Sequence, residues 1–244
     1  MGQILTKYLS GPLGVSEAAD ALLDPRSAFR FFLDFINDKE DDEYVSTDIA
    51  GSSTAVVTAG QGGLVVINTV GTAAGNGGSV SSPDDFIVLD GGRTVYIEAR
   101  LKISATAACW YFGLTADSPA GNEWSTASIT PSGAAVLIGL DAGTDSLTGA
   151  GSAGRQLQLS LYGTSHVETL LPLTVTLAAD TFYRVGLVVK GWKVQAYLDG
   201  KKIGPETSLN SNVTTTMGVQ LSCVTAGTTA RTLTCDYLDC VATR

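Results

Sequence analysis

A chain of 244 residues that is 44% hydrophobic and only 16% charged has material for a large core and does not have the composition of a disordered protein. Its 24 Asp and Glu against 15 Lys and Arg leave a net charge of −9, the wrong sign for nucleic-acid phosphates or an anionic bilayer. No apolar run approaches the roughly 20 residues of a membrane-spanning helix, so neither nucleic acid nor membrane is expected as a partner.

Residues 1–28 differ from the rest and are expected to form an arm. Ser16 is placed to cap a short helix over 17–23, which Asp24-Pro25 stops. Ile4, Leu5, Tyr8, Leu9 and Leu13 are too sparse for a core of their own, which suits a tail laid on the domain or an arm docked on another subunit. The first residues lack signal-peptide architecture, so Cys109, Cys223, Cys235 and Cys240 are expected to mature in a reducing compartment.

Residues 29–244 carry the texture of one β domain. Phe29-Arg30-Phe31-Phe32-Leu33-Asp34-Phe35 is an aromatic strand that runs into an acidic stretch over 38–43. Short strands follow at Ala55-Val56-Val57 and Leu64-Val65-Val66-Ile67, then a Gly/Ser/Asn-rich loop over 71–82, then a strand over 86–89. In residues 94–104, Val95, Ile97, Ala99, Leu101 and Ile103 alternate with Tyr96, Glu98, Arg100 and Lys102. That period of two predicts one dry face and one wet face. Trp110-Tyr111-Phe112 is expected in the core. Two Gly-, Ser- and Thr-rich loops cover 117–133 and 141–154. From Thr181 the alternation returns, and Lys193-Val194-Gln195-Ala196-Tyr197-Leu198 turns at Asp199-Gly200, the signature of a type I′ hairpin.

Catalytic chemistry finds no foothold in this pattern. His166 is the lone histidine, in a polar turn, with no G-x-S-x-G elbow to serve it. Glycoside hydrolysis needs two carboxyl groups facing one cleft, and no strand shows an E-x-D-x-E spacing. Glu98 is expected to form a solvated cross-strand ion pair. The acidic stretch lacks the ligand spacing of an EF-hand, and Cys235 and Cys240, five apart, fall on opposite faces unless their strand bends. All four cysteines are expected as small buried hydrophobes. No catalytic residue, cofactor or metal is expected. Among the aromatics that could stack on a sugar (Trp110, Trp124, Tyr162 and Trp192), loop-borne Trp124 beside Asn122 and Glu123 is the best platform.

The order of features then becomes informative. Tyr8-Leu9-Ser10-Gly11-Pro12-Leu13 precedes Phe31-Phe32-Leu33-Asp34-Phe35. Gly63-Leu64-Val65-Val66-Ile67-Asn68, Val95-Tyr96-Ile97-Glu98-Ala99-Arg100-Leu101-Lys102, the hairpin ending Leu198-Asp199-Gly200, and Thr234-Cys235-Asp236-Tyr237-Leu238 follow. This succession resembles capsid decoration or cement proteins of tailed bacteriophages that carry a concanavalin A/laminin G-like jelly roll. The resemblance implies an all-β antiparallel β-sandwich and a non-enzymatic virion protein on the capsid exterior, made in the host cytoplasm. It implies the major capsid protein as partner and a homo-oligomer, dimer or trimer, with the five apolar arm residues as docking points. The alternative is a lectin-like carbohydrate-binding module, on a virion or tail fibre, that holds surface glycans through Trp124.

Overall fold

The computed structural model describes residues 28–35, 44–49, 52–57, 63–69, 76–104, 108–116, 133–140, 156–163, 168–209, 213, 215–225 and 229–243. Within them the chain forms sixteen strands: β1 Ala28–Leu33, β2 Val45–Ile49, β3 Ser53–Val57, β4 Leu64–Asn68, β5 Gly77–Ser81, β6 Ile87–Val88, β7 Thr94–Ile103 and β8 Ala108–Thr115 complete the first half. The second half holds β9 Ala135–Leu140, β10 Gln156–Tyr162, β11 Glu168–Thr176, β12 Tyr183–Lys190, β13 Lys193–Leu198, β14 Lys201–Ser208, β15 Thr216–Thr225 and β16 Thr232–Thr243.

The strands form two antiparallel sheets stacked as a sandwich. The first runs β14-β13-β12-β7-β16-β4-β3, with β1 also paired to β16; the second runs β11-β10-β9-β8-β15-β5-β2, with β6 also paired to β15. Alternation drives the stacking, because each strand offers one apolar row that is stable only against another. Val95, Ile97, Ala99, Leu101 and Ile103 of β7 meet Trp110, Phe112 and Leu114 of β8, Val136 and Ile138 of β9, and Leu157, Leu159 and Leu161 of β10 in one core.

The long alternating segments fold as their spacing predicts. Asp199 and Gly200 take φ of 49° and 78°, the left-handed pair that a type I′ turn requires. Three expectations are corrected. The segment 71–82 is not wholly a loop: Gly77–Ser81 is β5, a central strand paired with both β2 and β15. A Cβ on Gly77 would stand 2.2 Å from the Cys223 carbonyl oxygen, so glycine there permits the close approach that hides the strand from a propensity reading. Cys235 and Cys240 both face the core, because a register shift at Cys235/Tyr237 inserts Asp236 into β16 as an extra residue. The expected wet face of β7 is only partly wet, since Tyr96 and Glu98 are each 6% exposed.

All four cysteines are buried free thiols. Among the described residues no helix is long and apolar enough to cross a membrane. The expected helix over 17–23 and most of the arm lie outside the described residues.

Candidate functional site

The central strands of the second sheet are buried on both faces, while β2 and β11 at its edges are partly exposed. Its inward row enters the main core, while Cys109 and Tyr111 of β8, Ala135 and Leu137 of β9, Tyr162 of β10 and Val224 of β15 face outward and form a separate buried cluster. A shallow open depression with a cavity volume of about 10 Å³ lies beside this cluster, with Tyr111, Leu137, Gly139, Gln158 and Ser160 in its lining. Gly139 keeps β9 close to β8: a Cβ there would stand 2.0 Å from the Trp110 carbonyl oxygen. Polar groups share this outward face, where Gln220 Nε2 donates to Ser222 Oγ at 3.1 Å. Ser79 Oγ, on the same face, is buried without a hydrogen-bond partner among the described residues.

Charge is what the central strands of this face lack. β5, β8, β9, β10 and β15 contain no Asp, Glu, His, Lys or Arg. The outward positions of β9 are Ala135, Leu137 and Gly139. Asp85, on the connection after β5, reaches the rim beside Gly218. These five strands themselves therefore offer hydrogen-bonding surface with no carboxylate, imidazole, ammonium or guanidinium.

The outer face of the first sheet has the opposite character. Register places Glu98 of β7 directly across from Asp239 of β16. Tyr237 donates its hydroxyl to Glu98 Oε1 at 2.6 Å. Arg30 of β1 reaches Asp239 with both Nε and Nη2, each at 2.9 Å, a bidentate clamp. Burial, then the Glu98 carboxylate, pushes the Tyr96 and Tyr237 phenols far above their ordinary range. The expected solvated ion pair of Glu98 is thus corrected: the carboxylate is buried under phenols, and Arg100 pairs with Asp236 instead. The sequence offered no E-x-D-x-E strand, yet two carboxylates do face each other here. Both are nearly inaccessible and engaged, one by a phenol and the other by a guanidinium.

Most candidate residues named from sequence fall elsewhere. Ile4, Leu5, Tyr8, Leu9 and Leu13 of the arm, Trp124, His166 and the acidic stretch at 38–43 lie outside the described residues. Trp110 is fully buried in the core, as expected, and Tyr162 belongs to the outward cluster. Trp192 is half-buried, packed on the core and against Gly91, so it is not an open sugar platform. Among the described residues no group of three or more His, Cys, Asp or Glu is placed to hold a metal ion. Tyr111, expected in the core with Trp110 and Phe112, faces outward instead, and Gln158 and Ser160 were not singled out from sequence, since only the pairing of separate strands brings them beside it.

The architecture is that of the concanavalin A-like jelly rolls, a class shared by lectins and glucanases. No protein-family model matches the chain, and no curated protein matches it in sequence. Solved structures resemble it closely in fold. A Bacteroides ovatus mixed-linkage glucan GH16 protein, solved with a G4G4G3G product, superposes with a TM-score of 0.60 at 13% identity, covering 85% of this chain and 98% of its own. Peanut lectin gives a TM-score of 0.62 at 8% identity, covering 88% and 97%. Bacillus licheniformis β-glucanase gives 0.56 at 12%, covering 86% and 96%. At such identities the likeness establishes the shared fold.

Proposed function

We propose that the chain is a non-catalytic, lectin-like carbohydrate-binding module that takes a neutral glycan at the depression on the outer face of the second sheet. One observation carries this reading: in a fold shared by glucanases and lectins, the five strands beneath that face hold no Asp, Glu, His, Lys or Arg, and β9 turns Ala135, Leu137 and Gly139 outward. Half-buried Gln158 and the Ser160 hydroxyl at the edge of the depression supply an amide and a hydroxyl that suit sugar hydroxyls, above the buried Tyr111 ring. Trp124, from its loop, is the proposed stacking platform.

The test is affinity electrophoresis in gels containing mixed-linkage β-glucan or another neutral polysaccharide, with a parallel reducing-end assay. Retardation without reducing-end release is expected. Gln158→Ala should weaken it by roughly threefold to tenfold, the worth of one hydrogen bond, and Trp124→Ala should weaken it as well. Release of reducing ends, or free migration through every neutral polysaccharide, would overturn the reading.

A second reading is decoration of a phage capsid exterior as a homo-oligomer bound to the major capsid protein. Support comes from the order of sequence features. Deleting residues 1–14 and measuring co-sedimentation with capsids tests it; undiminished binding would remove the arm from that account.

A further inference from the structure

Lys and Arg are sorted between the sheets. None of the eight strands of the second sheet contains either, whereas the first carries Arg30, Arg100, Lys102, Arg184, Lys190, Lys193, Lys201 and Lys202. Four of these, Arg100, Lys102, Arg184 and Lys202, gather at one end of its outer face. Register places Arg184 of β12 directly opposite Arg100 of β7, a like-charge cross-strand pair that costs stability in isolation. Lys102 lies one outward step beyond Arg100, and Lys202 of β14 pairs with outward Tyr197 of β13, whereas Lys201 pairs with Leu198 and takes the other side of its strand.

Phe182 lies under two of these cations, with the Arg100 guanidinium 4.6 Å and the Lys102 ammonium 5.2 Å from its ring centroid. Three carboxylates share this end. Asp236 pairs with Arg100, Asp199 accepts the Arg184 backbone N–H at 2.9 Å, and Asp180 sits on the turn joined to Ile103. The four outer-face cations exceed these three carboxylates by one, within a chain whose net charge is −9. From β7 to β14 the patch crosses three inter-strand steps, about 14 Å in all.

We propose that this end of the first sheet is a docking surface for an anionic polysaccharide, separate from the neutral-glycan depression on the other sheet. Charge complementarity sets the sign of the partner, and the half-buried Phe182 ring between cations supplies an apolar surface of the kind a sugar ring covers. A sparsely charged polysaccharide meets the local cations while incurring less repulsion from the acidic remainder than a duplex, whose phosphates bring one charge per about 1.7 Å.

The experiment titrates the full chain with polygalacturonate by calorimetry at low and moderate NaCl, with dextran and duplex DNA as parallel probes. Binding of polygalacturonate that weakens as salt rises, with neither control matching it, is expected. The double variant Lys102→Glu/Lys202→Glu should lose affinity about tenfold or more while leaving retardation by neutral polysaccharide intact. Arg184→Gln should act in the same direction. Unfolding curves establish that each variant is folded, and Lys202→Glu alone, at an exposed position, serves if the double variant is not. DNA binding as tight as polygalacturonate, insensitivity of a folded variant, or no binding at low salt overturns the proposal. Because Gln158→Ala reports on the other face, either site can fail without the other.

Discussion

Glu98 and Asp239 face each other across β7 and β16, and two buried carboxylates so placed are stable only if each is answered. Arg30 answers Asp239 and Tyr237 answers Glu98. Tyr237→Phe keeps the ring and removes the donor, so it should lower unfolding free energy by about 1–3 kcal/mol, read from urea midpoints at unchanged m-value. The buried thiols give a second prediction. Burial pushes Cys223 up to about 12, and Cys235 and Cys240 also lie far above the ordinary thiol range, burial again being the main cause. Unfolding lets these groups ionise near pH 9, so the native state holds more protons above that value. Their contribution is complete below about pH 8.5 and is lost as pH rises toward 12. Stability measured from pH 8 to 11 should fall steadily, and native thiols should resist a thiol reagent that labels all four in denaturant.

At the scale of the element, legibility depended on how far apart in sequence the deciding partners lie. β7 and the β12–β13 hairpin could be recognised because their period of two and the Asp199-Gly200 turn are local. β5 could not, since Gly77-Gly78-Ser79-Val80-Ser81 has one large apolar residue and becomes a strand only between β2 and β15. The inward aim of Cys240 was hidden for a similar reason, as Asp236 shifts the register by one. The depression of the second sheet was equally illegible, because its residues come from β8, β9 and β10 and only pairing unites them. Glycine positions give the sharpest test of these pairings. Gly139→Ala would press a methyl against the Trp110 carbonyl oxygen and should cost about 3 kcal/mol or more. Gly186→Ala meets its nearest atom, the Ile97 carbonyl oxygen, at 3.0 Å and should cost less, so the ranking of the two melting temperatures checks the geometry.

For the whole molecule, β16 is the strand on which the first sheet depends. It is paired with β7 along one side and with β4 and β1 along the other, so it joins residues from nearly the full length of the chain. Removing residues 233–244 should therefore abolish cooperative unfolding and near-ultraviolet circular dichroism, whereas a fragment starting at residue 28 should keep both. A folded, cooperative product of the first truncation would contradict the topology. The asymmetry between the sheets has no counterpart in overall composition: a net charge of −9 reveals neither the uncharged strands of one sheet nor the cations gathered on the other.

The pairing of Ala28 with Thr243 brings the start of β1 and the finish of β16 to neighbouring positions on adjacent strands, about 5 Å apart. Tension applied through those two points acts across the ladder rather than along it, and the bonds between β1 and β16 would break in succession, as the teeth of a zipper do. Anchored at that corner, the domain would be mechanically compliant there while its second sheet carried no load.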